Sequence, residues 1–134
     1  MTPEGKIKQM VDKAIRRNLS KQSGKIWRFM PVQRGMGKQA LDYLLCVNGN
    51  FVAVETKRDP KHIPTAMQQV TIREIRLAGG IVFIVNDQPS CFVFEQALEQ
   101  LILHPEMFHA FYHSEQTKSG AGGPENEGDD AVIP

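Results

Sequence analysis

The strongest constraint in this chain is a pair of short apolar runs, residues 41–47 and 51–57, separated only by Asn48-Gly49-Asn50. Their β-branched and aromatic content favours strands, and Asn-Gly is among the strongest two-residue turn signals because both positions tolerate positive φ. An antiparallel hairpin is therefore expected. Its second strand is apolar from Phe51 to Val54 and then ends in Glu55-Thr56-Lys57. Glu55 and Lys57, two apart on a strand, project from one face. Charges at the end of a buried strand are costly unless paired or bound to a metal.

The register decides what meets them. A turn at Gly49-Asn50 sets Asp42 opposite Lys57, and a turn at Asn48-Gly49 sets it opposite Glu55. Cross-strand partners share a face, so either turn groups Asp42, Glu55 and Lys57. A three-residue loop sets Asp42 opposite Thr56 and breaks the grouping unless a bulge restores it. Two carboxylates with an ammonium suit phosphodiester hydrolysis. The carboxylates make an oxygen-rich site for Mg2+, with Mn2+ as the alternative, and the main-chain carbonyl of Thr56 is a further hard ligand. The metal activates water and offsets the charge of the transition state, while Lys57 holds the attacking water and neutralises phosphate charge.

Around the hairpin the pattern is mixed. Residues 3–18 carry Ile7, Met10, Val11, Ala14 and Ile15 at helical spacing, with Thr2 as cap and Pro3 in the first turn. Residues 26–32 read as a strand and residues 34–39 as a glycine-bearing loop. Thr65 caps a second helix through about Ala78, which Gly79-Gly80 ends. Residues 81–86 are almost wholly apolar and read as a strand buried on both faces. Residues 91–94 are expected to add a short strand, and residues 95–103 a last helix. The order predicts an α/β fold, an antiparallel meander extended by a strand that crosses over through a helix.

The hairpin and its surroundings resemble the PD-(D/E)xK nuclease superfamily, and within it the virus-type replication-repair nuclease domain, VRR-NUC. The matching residues are Asp42 after a glycine-bearing loop, the Glu55-Thr56-Lys57 triplet, and Pro64-Thr65-Ala66-Met67-Gln68 opening a helix that ends in Gly79-Gly80 before Ile81-Val82-Phe83-Ile84-Val85. Thr2-Pro3-Glu4-Gly5-Lys6 resembles the opening of phage-encoded, stand-alone members. The resemblance covers residues 2–87. It implies a restriction-endonuclease-like αβββαβ core, a central mixed sheet flanked by helices, and metal-dependent cleavage of DNA. It assigns Gln68 a place near the scissile phosphate or metal waters, with Gln69 the alternative. It places Glu4 near the metal, where the competing reading is an acid at the positive end of a helix dipole. Leu41 stands where the family usually has proline before its first aspartate, a change of strand geometry rather than chemistry.

The family includes structure-selective enzymes that cut branched DNA, and small stand-alone members resemble Holliday-junction resolvases. Symmetric junction cleavage needs two active sites, so that substrate implies a homodimer. A nickase or flap nuclease serving phage replication or packaging, and a non-catalytic DNA-binding module, are the alternatives.

Charge distribution is compatible with a DNA partner. Residues 1–40 hold ten Lys or Arg against two acids, while residues 115–134 hold five acids against one base. Arg34, Lys38, Arg58 and Lys61 are the candidates for phosphate contacts. Trp27 and Phe29 share a strand face and are expected in the core or at a subunit interface, with base stacking as the alternative. Cys46 and Cys91 lie in apolar runs and read as buried, reduced thiols. No run approaches the ~20 apolar residues of a membrane span, so a cytoplasmic protein is expected, in the host cytoplasm if phage-encoded. One domain over residues 1–113 and a disordered acidic, Gly-rich tail over 114–134 complete the reading.

Overall fold

The computed structural model describes residues 1–21, 24–32 and 40–106. Helix α1 (Pro3–Lys21) is followed by strands β1 (Ile26–Phe29), β2 (Tyr43–Val47) and β3 (Asn50–Thr56). Helix α2 (Ala66–Leu77), strand β4 (Ile81–Val85) and helix α3 (Gln88–Leu103) complete the chain order. The sheet runs β1-β2-β3-β4, with β1–β2 and β2–β3 antiparallel and β3–β4 parallel. This is the expected αβββαβ order with one more helix. Arg34, Lys38 and the expected tail over 114–134 lie outside the described residues.

The β2–β3 turn takes the Asn48-Gly49 alternative. Asn48 and Gly49 have φ of 48° and 88°, the backbone of a type I′ turn, which matches the twist of the strands it joins. Asn48 is also tied to its surroundings. Its N–H donates to the Lys25 carbonyl at 2.7 Å, and its side-chain amide reaches the Leu101 and Ile102 carbonyls at the end of α3.

Two apolar layers sandwich the sheet. On one face, Ile7, Val11, Ala14 and Ile15 of α1 and Phe94, Leu98 and Leu101 of α3 pack on Tyr43, Leu45, Val52, Val54 and Phe83. On the other, Ile72 of α2 joins Leu41, Ala53 and Val82. Helices α1 and α3 are also joined by Arg17, which donates twice to Glu95, and by buried Asn18, which donates to the Ala14 carbonyl and Glu95. Among the described residues, no helix is long and apolar enough to cross a membrane.

Helix α2 is bounded as its sequence demands. Thr65 caps it, and the N–H groups of Gly79 and Gly80 return to the carbonyls of Arg76 and Ile75 in a Schellman closure. Gly80 has no room for a side chain, since a Cβ there would sit 2.5 Å from Ile75 and 3.0 Å from Phe51.

Three expectations are corrected. Residues 91–94 form no strand but lie inside α3. Asp87 accepts from the Ser90 N–H, the Ser90 hydroxyl oxygen accepts from the Asp87 N–H, and Pro89 occupies the first turn, so the helix starts at Gln88. Cys91, Phe94, Leu98 and Leu101 then form its buried stripe. Cys46 is exposed rather than buried, because it lies on the sheet face that α2 leaves uncovered; Cys91 is buried, and both thiols are free. Of the two places expected for Trp27 and Phe29, the core is excluded: they lie on that same face, at 62% and 50% exposure.

The helical assignment of residues 91–94 separates two phenylalanines that a strand would place on one face. Phe94 is 0% exposed and Phe92 63%. Phe94→Ala is expected to cost about 3–5 kcal/mol in urea unfolding, and Phe92→Ala less than about 0.5 kcal/mol. Equal losses would contradict the helix.

Candidate active site

Residue pairing in the hairpin runs from Val47↔Asn50 to Tyr43↔Val54, and one further step sets Asp42 opposite Glu55. Asp42 lies just outside the ladder, and its carboxylate closes the end of β3. Its Oδ2 accepts from the Thr56 N–H at 2.9 Å and from the Thr56 hydroxyl at 2.7 Å. Its Oδ1 lies 3.8 Å from the ammonium of Lys8 on α1.

Glu55 occupies the α2 side of the sheet, since it is two residues along β3 from Ala53, which packs in the α2 layer. It is 2% exposed. Its Oε2 accepts from the Gln68 side-chain amide at 2.7 Å and lies 3.5 Å from the Lys57 ammonium. Its Oε1 is buried and has no hydrogen-bond partner. Burial first, and the Asp42 charge second, push the Glu55 carboxyl up to about 7; Lys57 opposes them.

Gln68 performs two tasks through one amide. As the third residue of α2 it completes the capping box: its Oε1 accepts from the Thr65 N–H at 2.9 Å, while its N–H donates to the Thr65 hydroxyl. With the oxygen committed to the cap, the NH2 end faces Glu55. The start of α2 and the orientation of Glu55 are thus set by the same side chain. Gln69 instead turns outward and donates to the Pro64 carbonyl.

Asp42, Glu55, Thr56, Lys57 and Gln68 are therefore brought together. Glu4 reaches only the margin. Its carboxylate lies 3.6 Å from Lys8, whose ammonium links it to Asp42. Among the described residues, no three His, Cys, Asp or Glu side chains converge as a metal-holding group. Arg58 and Lys61 follow β3 in an exposed turn, where Arg58 donates to His62 at 2.9 Å and the Lys61 N–H donates to Asp59. The hydrogen bond from His62 holds the Asp59 carboxyl below its ordinary range.

Two contributors were missed in the sequence. Lys8 has no signature beyond its helical position; it reaches the site because Tyr43, buried beneath α1, donates its hydroxyl to the Lys8 carbonyl. The Thr56 hydroxyl was legible only as a residue between Glu55 and Lys57, and its bond to Asp42 requires the register.

The donor set fits a hard divalent cation. Asp42 lies near enough for its charge to raise the Glu55 carboxyl, and the buried Oε1 of Glu55 is an acceptor without a hydrogen-bond partner. A cation with two protein carboxylates completes its shell with water, a main-chain carbonyl and substrate phosphate oxygen, the habit of Mg2+.

A solved structure described as a VRR_NUC domain is similar to this chain, with a TM-score of 0.54 and 22% identity. The match covers 78% of this chain and 98% of that one. No family model matches the sequence, and no curated protein matches it. The chain has the VRR-NUC fold: a mixed four-stranded sheet with α1 and α3 on one face and α2 on the other.

The raised Glu55 carboxyl has a consequence for stability. Its folded value, about 7, lies above the ordinary 4.5. The folded state therefore holds this proton more tightly, and metal-free stability falls as pH rises from about 4.5 to about 7. Glu55→Gln removes that dependence. Without metal, the variant should match wild type near pH 4 and exceed it at pH 8, by on the order of 3 kcal/mol in urea unfolding. Parallel pH profiles for the two proteins would contradict the assignment.

Proposed function

We propose that this protein is a metal-dependent DNA endonuclease acting on branched DNA, with Asp42, Glu55 and Lys57 as its catalytic group. The observation that carries the reading is the convergence of these three side chains at the end of β3, with one Glu55 oxygen buried and unpartnered. The VRR-NUC fold, and the name of the similar structure, support the nuclease class.

Asp42, Glu55 and the Thr56 carbonyl would hold Mg2+, or Mn2+ in its place. When bound, the cation supplies Lewis-acid activation of water and charge neutralisation at phosphate. The remaining work belongs to the chain. Thr56 fixes Asp42 through two hydrogen bonds, leaving Oδ1 as the outward oxygen. Gln68 fixes Glu55 through Oε2, leaving Oε1 as the open one. Lys57 stands beside Glu55, where its ammonium orients the attacking water and stabilises charge on the transferring phosphate. Lys8 adds a second positive charge at the Asp42 side. Arg34, Lys38, Arg58 and Lys61 serve phosphate contacts along the DNA. Cutting both sides of a symmetric junction requires two copies of this single site, and hence a homodimer.

Labelled four-way junction, flap and linear duplex DNA, incubated with Mg2+, Mn2+ or EDTA, test the reading. Wild type is expected to cut the junction only with metal, and Lys57→Ala to lose about 100-fold or more in rate. Equal cutting of linear duplex would remove the branched preference and keep the active site. Binding without metal-dependent product on any substrate would leave the non-catalytic DNA-binding module.

Metal affinity gives a second test without turnover. At pH 8, Mg2+ is expected to raise the thermal midpoint of wild type and leave that of Glu55→Gln unchanged. A similar rise in both proteins would remove Glu55 from the metal set.

A further inference from the structure

Among the described residues, the sheet face that carries Glu55 is covered by a helix only in part. Helix α2 packs over β3 and β4 through Ile72 against Ala53 and Val82. Among the described residues, no helix covers the outer part of the same face, on β1 and β2. Ile26 points into the α1–α3 layer, so Trp27 and Phe29 point the other way. The pairs Trp27↔Cys46 and Phe29↔Leu44, followed by Cys46↔Phe51 and Leu44↔Ala53, extend this face in two rows across the sheet. Trp27, Phe29, Cys46 and Phe51 are all exposed. The Trp27 and Phe29 rings are parallel within 6°, with centroids 6.1 Å apart.

This floor shares the sheet face of Glu55, with the Leu44–Ala53 pair lying between Phe29 and that carboxylate. The Phe29–Leu44 row lies two residues from Asp42 along β2, or about 7 Å, and the Trp27–Cys46 row four residues away, or about 14 Å. The rows carry no charge, while exposed Lys25 precedes β1 and Lys57 stands at the far end. A strand whose phosphate sits at Asp42 and Glu55 can therefore run outward over aromatic faces without meeting an acid on the floor.

We infer that Trp27 and Phe29 form a stacking platform for unpaired nucleobases flanking the phosphate held at Asp42 and Glu55. The inference rests on the nuclease reading for the position of that phosphate. Bases within a duplex are already stacked on one another, whereas those of a single-stranded arm expose their π-faces and can stack on protein rings. The platform would favour DNA with an unpaired segment beside the cut, as at a branch point or flap. A second copy of this chain is the competing occupant of an apolar sheet face. The register that leads from the platform to the catalytic carboxylates favours the DNA strand.

Trp27 is the single tryptophan, so its emission reports on the platform without mutation. The full chain in EDTA is titrated with a short oligothymidylate, a duplex with a single-stranded arm and a blunt duplex. The first two are expected to quench Trp27 and slow thiol modification of exposed Cys46, and the blunt duplex to do neither. Phe29→Ala should bind the oligothymidylate about 5- to 100-fold more weakly, with an unchanged far-ultraviolet spectrum. Unaltered emission with every DNA, or equal quenching by the blunt duplex, would overturn the inference. So would blue-shifted emission that moves red on dilution without DNA, which would assign the face to a second copy. Mg2+-dependent cleavage by wild type, with Glu55→Gln as control, is followed in parallel. Cleavage with a silent Trp27 removes the platform alone, and quenching without cleavage removes the nuclease reading alone.

Discussion

The type I′ turn at Asn48-Gly49 is the constraint on which the rest of the site depends. A slip of one residue would turn every side chain of β2 to the opposite face of the sheet relative to β3. Tyr43, Leu45 and Val47 would leave the core, and Asp42 would no longer stand opposite Glu55. The turn is held at both ends of its own geometry: Asn48 and Gly49 accept positive φ, and the Asn48 amide ties the loop to the last carbonyls of α3. A local backbone preference and a long-range contact thus specify the same register.

That register creates an electrostatic problem at the end of β3. Glu55 is buried beside a second carboxylate, and both circumstances favour its neutral form. Lys57 and Gln68 offset only part of the cost, since each addresses the same oxygen, Oε2. The other oxygen is left open. Such an arrangement is poor for stability and well suited to a cation, whose charge would restore the ionised carboxylate. The capping box extends the consequence to α2, because Gln68 cannot abandon Glu55 without disturbing the helix start.

The two faces of the sheet are used differently. Helices α1 and α3 seal one face around Tyr43, Val54 and Phe94, and this layer supplies most of the buried apolar surface. Among the described residues, helix α2 covers the other only over β3 and β4, so an exposed aromatic floor shares the sheet face of Glu55. Exposed aromatic side chains are unfavourable in water. Their position beside the candidate site therefore links the architecture of the sheet to the surface over which a substrate strand would pass.

Much of this was legible in the residues. The turn chemistry, the alternation of Tyr43–Val47, the cap at Thr65 and the paired glycines after α2 are local signals, and local signals survive in sequence because they act within a few residues. The choice between turn positions was not legible, since Asn48-Gly49 and Gly49-Asn50 leave the same residues on each face; the turn found is the one in which Asn48 also reaches Lys25 and the end of α3. Residues 91–94 misled because Cys-Phe-Val-Phe has strand propensity, which capping by Asp87 and burial of Phe94 override. By itself the sequence determined which residues could do chemistry: two carboxylates and a lysine near a hairpin end. Tertiary structure alone decided that Lys8 lies beside Asp42, that Gln68 rather than Gln69 holds Glu55, and that Cys46, Trp27 and Phe29 face outward. These outcomes depend on which helix covers which part of the sheet, and the free energy of that packing is summed over residues far apart in the chain.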